Sequence, residues 1–508
     1  MDFPKADPQR SPPPRRGSFW AAAVLVLALY AVLLVRHVGA VAGGSDSSGY
    51  MNHARLLASE HLHVQPRIVP GLPQSSAPPF LYVPLGFKPA YDGNGLVPTY
   101  PSGFALFVLL AEPIAGWRHA GDIVIVLHSL AGLIATFALG RMLGLGTRWA
   151  ALGAAIVAAS PLYLFMSLQA MSDVPSLVWT TVAVLASLQS RRESGWALFA
   201  GVAMAVDVLL RPTNVLAFVP VAIALGASPR RWIYFVFGGL PGAVFFAAHG
   251  MAAYGSFVAT GYGDNSYAFL GRYVPETLVH YGRWLPALLT PIVVLNLGLP
   301  WLRSEAARTR WVLGTWMVVY AAFFSAYECT HETWWYLRFL LPAAPAMAVG
   351  ALLVGRSLLA RAPAGADPGR SRTVFALVLA LIVVNSVAWS RELHALSIGE
   401  SELRYGLVAD WMKKHLPADA VCLTMQTSGA LFYYTHFTFI RWDVLDKSNV
   451  ATIEDAIRSS KRPLYAVLFP FELTDAAVLE KRMPGRWTQV GNVRDLTIWR
   501  RDFETVQP

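Results

Sequence analysis

Gly43-Gly44-Ser45-Asp46-Ser47-Ser48-Gly49-Tyr50 follows closely on the first apolar run of the chain, residues 19–35. A carboxylate kept just beyond a membrane span, flanked by Gly and Ser, is costly there and has no packing rationale. It also fits a helix N-cap on residues 47–59. If the rest of the chain is membrane scaffold, the chemistry belongs where Asp46 emerges.

The surroundings support that scaffold. Of 508 residues, 55% are hydrophobic and only 14% charged, with mean hydropathy +0.44, against roughly 25% charged in soluble domains. The net charge of +10 is spread over short loops between apolar runs, which excludes a nucleic-acid surface. Seventeen Trp, nineteen Tyr and twenty-six Phe suit interfacial belts and sugar-stacking surfaces alike. Cys329 and Cys422 form neither a disulfide framework nor a metal motif.

Eleven apolar runs follow one another: 19–35, 123–140, 149–165, 174–188, 196–210, 215–227, 232–251, 285–302, 311–327, 337–354 and 373–389. Counted as spans, they put the basic clusters at Arg15-Arg16, Arg141 and Arg148, Arg191-Arg192, Arg230-Arg231, Arg303 to Arg310, and Arg356 to Arg372 on one side. Excess Lys and Arg mark the cytoplasmic side, so the N-terminus is inside and the C-terminal region outside. The run 104–115, bounded by Pro101 and Pro113, would break this alternation and reads as a juxtamembrane or re-entrant helix. Residues 1–18, rich in Pro and basic groups, read as a disordered cytoplasmic tail. Ala40-Val41-Ala42 mimics a signal-peptide cleavage site, but Arg36-His37 before it argues against processing.

The loops assigned to the outer face carry the functional charge. A first loop, about 38–100, holds Asp46, Arg55 and Lys88; a second holds Tyr262 and Arg272; a third holds His331 and Trp335 and runs into Arg338; a short turn holds Asp173. Arg211-Pro212 breaks an apolar run, and Asp207, four residues before Arg211, reads as its ion-pair partner. Beyond residue 389 the composition changes. Strands at 421–423, 465–469 and 496–499 alternate with helices at 403–416, 453–459 and 476–482, enough for a small α/β domain with its own core.

Asp46-Ser47-Ser48-Gly49-Tyr50 with Ala54, Tyr100-Pro101-Ser102-Gly103, Ser172-Asp173-Val174-Pro175, Arg211-Pro212-Thr213-Asn214 and Trp335-Tyr336-Leu337-Arg338-Phe339-Leu340-Leu341-Pro342 occur in the order seen in GT-C glycosyltransferases. Over roughly residues 19–389 the chain resembles the protein-mannosyltransferase and lipid-A aminoarabinose-transferase branch. Protein O-mannosyltransferases carry Asp-Glu in the first loop; Ser47 replaces the Glu here, which shifts the expectation from protein hydroxyls towards a glycan or lipid acceptor.

The resulting expectation is a polytopic all-α membrane protein of about eleven spans plus juxtamembrane helices (residues 19–390), with a small extracytoplasmic α/β domain at 400–508. The resemblance implies an inverting transferase that moves a sugar from a polyprenyl phosphate to a glycan, lipid or protein acceptor on the outer face of a membrane, expected to be the bacterial inner membrane. Asp46 is the expected base and Asp173 a second carboxylate for fixed electrostatic or metal-binding work. Arg338, Lys88, Arg55 and Arg272 are candidates for the phosphate, and Tyr50, Tyr100, Tyr262, His331 and Trp335 for the substrate pocket. No cofactor is assigned; a divalent metal is left open. A transporter or lipid flippase built on the Arg211-Pro212 break is the alternative.

Overall fold

The computed structural model describes residues 16–39, 42–303, 306–360 and 368–503. The tail at 1–15, the cleavage-like Ala40-Val41 and part of the basic loop before Arg372 lie outside the described residues.

Helix α1 (Arg16–His37) leads to α2 (Ser45–Ala58), whose first turn carries Asp46. A hairpin of β1 (Phe87–Pro89) and β2 (Leu96–Pro98) precedes the long α3 (Ser102–Met142). The expected juxtamembrane run is the first arm of α3. The helix continues through Pro113 and breaks at Gly116, whose φ of 66° and ψ of 163° only glycine adopts without strain. Then come α4 (Thr147–Ala158), α5 (Pro161–Ser167), α6 (Asp173–Gln189), α7 (Trp196–Leu210), α8 (Phe218–Leu225), α9 (Pro229–Tyr254), α10 (Val274–Leu289), α11 (Ala307–Ser325), α12 (Ala344–Ala360) and α13 (Pro368–Glu392).

The chain is a multi-pass membrane protein. Among the described residues, five helical stretches are long and apolar enough to cross a bilayer, and up to seven if each bent pair counts once. The difference from eleven runs has a geometric cause. The run 149–165 bends by 66° between α4 and α5; the run 285–302 bends by 111° at Thr290-Pro291, between α10 and the 3₁₀ turn Pro291–Trp301. The helices on either side of Arg211 are short.

The C-terminal part opens with α14 (Ile398–His415) and forms one five-stranded mixed sheet. Its strands are β3 (Val421–Leu423), β4 (Thr438–Ile440), β5 (Leu464–Leu468), β6 (Trp487–Val493) and β7 (Leu496–Arg501), in the order β4-β3-β5-β7-β6. The first three are parallel and the last two antiparallel. Parallel strands must be covered on both faces, and successive residues of β3 and β5 do enter opposite cores. Val421, Leu423 and Ala466 pack with Val69, Leu72 and Leu81 of the first loop. Cys422, Tyr465 and Val467 pack with Tyr405, Val408 and Met412 of α14. The loop after α2 is therefore one wall of the sheet domain. Helix α15 (Ser428–Tyr434) follows β3 and lies on α2, where Asn52 donates to the Gly429 carbonyl (3.0 Å).

Candidate active site

Asp46 and Asp173 meet at the end of the helical bundle that faces the sheet. The approach is permitted by Gly49 of α2: a Cβ there would lie 2.3 Å from the Tyr100 ring, so only hydrogen lets α2 settle against the start of α3. Tyr50 packs behind it, with its ring centroid 5.0 Å from Tyr100 and 5.2 Å from Phe104, and its hydroxyl 2.7 Å from Ser172 Oγ. Tyr100 in turn donates to Asp46 Oδ1 at 2.5 Å, and Tyr262 meets its ring edge-on at 6.1 Å.

Arg338, in the 3₁₀ stretch Trp334–Ala343 before α12, lies between the two carboxylates. Its Nη2 is 2.9 Å from Asp46 Oδ2 and its Nε 4.0 Å from Asp173 Oδ1. Asp173 opens α6 and is 1% exposed, whereas Asp46 is 25% exposed. Burial raises the Asp46 carboxyl, but the Arg338 charge and the hydrogen bonds from Tyr100 and Arg338 outweigh it and hold it below its ordinary value.

A second arginine completes the set. Arg211 Nη1 is 2.8 Å from Asp173 Oδ1, so the expected Arg211–Asp207 pair is wrong. Helix α7 ends at Leu210, and Arg211 is extended at φ −149°, ψ 114°. The spacing that pairs residues four apart holds only inside a helix. Asp207 instead accepts from Thr180 Oγ1 (2.5 Å) and Asn214 Nδ2 (2.7 Å). The Pro after Arg211 was the signal for its role, since it turns the side chain out of the helix.

The remaining candidates are engaged elsewhere. Lys88 Nζ donates to the Thr260 carbonyl (3.3 Å) and lies over Tyr254. Arg55 Nη1 donates to the Tyr433 carbonyl (2.6 Å) on the side facing the sheet. Arg272 is held by the Tyr273 hydroxyl (2.8 Å), while His331 pairs with Glu276 (3.1 Å) and stacks on Tyr273. Trp335 packs on Trp334 and Tyr336, and Tyr336 in turn lies under Arg338. Asp46 is also not loop-borne, because α2 begins one residue before it. Among the described residues no group of three or more His, Cys, Asp or Glu could hold a metal ion, and Cys329 and Cys422 are both free thiols.

The fold of the chain is similar to those of solved membrane proteins. ArnT from Cupriavidus metallidurans bound to undecaprenyl phosphate matches with a TM-score of 0.59 over 96% of this chain and 99% of that one, at 12% identity. The Archaeoglobus fulgidus oligosaccharyltransferase matches with 0.54 over 91% and 71%, at 12% identity. The mycobacterial arabinofuranosyltransferase AftD matches with 0.52 over 97% and 40%, at 15% identity. The fold is GT-C-like. No protein-family model matches the chain, and no curated protein matches it in sequence. The GT-C-like fold carries Asp46 on the first helix after the first span and Arg338 before α12, the two ends of the motif series on which the resemblance rests.

Proposed function

We propose that this protein is an inverting glycosyltransferase that takes its sugar from a polyprenyl phosphate and works on the outer face of a bacterial inner membrane, with the N-terminus cytoplasmic. The observation that carries this reading is the single guanidinium of Arg338 between two carboxylates, with Arg211 behind the buried one. Two fixed arginines suit a phosphate, which the guanidinium fork grips with paired hydrogen bonds. The ArnT neighbour is bound to undecaprenyl phosphate, and an oligosaccharyltransferase neighbour is in complex with a dolichol-phosphate.

In this reading the donor's phosphate competes with Asp46 for Arg338. Losing that partner raises the basicity of Asp46 at the moment the donor is in place. Asp46 then takes the acceptor's O–H proton as the acceptor oxygen bonds to the anomeric carbon from the face opposite the phosphate. The anomeric C–O bond breaks, its electrons leave with the polyprenyl phosphate, and the configuration inverts. Asp173, ion-paired with Arg211, stabilises the oxocarbenium character of the transition state. Lys88, Arg55 and Arg272 drop out of the phosphate clamp and Arg211 enters it. The acceptor is a glycan, lipid or protein hydroxyl.

Asp46→Asn, nearly isosteric, removes the base. It should lower turnover of a polyprenyl-phosphate sugar by about 10²- to 10⁴-fold, with donor binding retained or tightened because the phosphate no longer competes with a carboxylate for Arg338. A normal rate in that variant would sink the catalytic assignment and favour a transporter.

A further inference from the structure

Two cavities open between α2 and the sheet domain, on the side of α2 away from the Asp46 carboxylate cluster. One of about 530 Å³ has Arg55, Arg67, Lys413 and His436 among its lining, and no Asp or Glu. The other, about 480 Å³, reaches Ala42 and Met51 beside the Asp46 turn and carries Asp122 and Asp410, the latter paired with Lys413 (2.7 Å). Arg55, Tyr433 and Tyr434 line both, so the two adjoin as a cleft whose cationic, carboxylate-free end is the first.

The cations of this cleft are built in. Arg67 donates from Nη2 to the Phe432 carbonyl (3.0 Å) and from Nη1 to the Phe437 carbonyl (3.3 Å), with its guanidinium 4.2 Å from the Phe432 ring. Arg55 is 3.5 Å from the Tyr433 ring and 5.6 Å from Trp117. Carbonyls and ring faces orient both side chains without neutralising them, and among the described residues neither has a carboxylate within ion-pair distance. Each guanidinium carries five N–H donors, so donors remain for a ligand. Burial draws Arg67 down to about 10, a cost that an arriving anion would relieve.

We propose that this cleft binds an anionic saccharide, Arg55 and Arg67 gripping its acidic groups and the aromatic side chains bearing on its ring faces. Resting on the transferase reading, this makes it the docking site of the acceptor and makes that acceptor acidic. Arg55 lies nine residues beyond Asp46 on α2, about 13 Å at 1.5 Å per residue. The acidic group that anchors the acceptor therefore sits well away from the hydroxyl that reacts, and the acceptor spans more than one sugar ring.

The test uses the full chain in phosphatidylcholine nanodiscs without donor, titrated calorimetrically with hexagalacturonate and with neutral cellohexaose. Hexagalacturonate should bind and cellohexaose should bind at least about tenfold more weakly. Arg67→Gln should lose about tenfold for hexagalacturonate, the worth of one charge-assisted hydrogen bond, and Arg67→Lys should recover part of it. Should Arg67→Gln not fold, Arg55→Gln carries the same comparison, since Arg55 too has only carbonyl and ring partners. Equal binding of the two hexamers, unchanged binding in a well-folded Arg67→Gln, or displacement of hexagalacturonate by phosphatidylglycerol vesicles would each overturn the proposal. Release of polyprenyl phosphate tests the catalytic reading separately. A protein that turns over donor but binds neither hexamer loses this inference and keeps that reading. One that binds hexagalacturonate through Arg67 but never consumes donor keeps the saccharide site and loses the reading.

Discussion

Tyr100 touches Asp46 through a hydrogen bond that exists only while the carboxylate can accept it. That bond favours the ionised form, so Tyr100→Phe should raise the Asp46 pKa. If ionised Asp46 is the base, activity falls as pH drops through that pKa, and the acidic limb of the kcat/KM profile should move to higher pH in the variant. An unmoved limb would mean that another group limits the rate on the acid side. Asp46 and Asp173 were both legible as carboxylates placed where packing does not want them, and Arg338 as a cation at the end of an apolar run. Arg211 was misassigned because a sequence shows four-residue spacing but not where the helix stops. Lys88, Arg55 and Arg272 lie, like the site, in polar stretches between apolar runs, and nothing in the order of residues reveals which neighbour claims each cation.

Elements were readable where composition and geometry change together. Helix α7 runs over Trp196–Leu210, the limits its apolar run gives, because the Arg-Pro break ends hydropathy and helix at one place. A bend inside an apolar run leaves no trace in hydropathy: Thr290, at φ 71°, turns the chain between α10 and a 3₁₀ stretch, and only Pro291 after it marks the place. Strand β4 is only three residues long, and β6 carries a register shift between Gln489 and Gly491 that spoils its alternation. Helix α14 adds a titratable contact. Glu402 Oε2 lies 1.6 Å from where a Gly43 Cβ would stand, and burial pushes its carboxyl up to about 7. The folded state then holds a proton that the unfolded chain has released, so stability is fullest below the ordinary carboxylate range and falls as pH rises to about 7. Glu402→Gln should flatten the melting temperature across that interval, and a wild-type slope in the variant would assign the effect to another group.

At the scale of the whole molecule, the first loop and the C-terminal domain are one structure, since Val69, Leu72, Leu81 and Tyr82 belong to the same core as β3 and β5. Both must stand on the same side of the membrane. In the proposed orientation that side is outside, so alkaline phosphatase fused after residue 508 should be active and a cytoplasmic fluorescent reporter fused there dark. Bright cytoplasmic fluorescence would reverse the orientation and put Asp46 with it. The folding of the 60–100 stretch onto the sheet was not visible in the sequence, because it depends on partners more than three hundred residues apart.

Cys422 is fully buried at the middle of β3, and Cys329 is the other thiol of the chain. A Cys329→Ser chain therefore carries a built-in clock for breathing of the sheet. A maleimide can reach Cys422 only when the strands part, so its labelling rate in mild denaturant measures how often the sheet opens. Hexagalacturonate bound between α2 and α15 should slow that clock without touching the membrane helices; labelling as fast with the saccharide as without it would mean that sheet opening and cleft occupancy are independent.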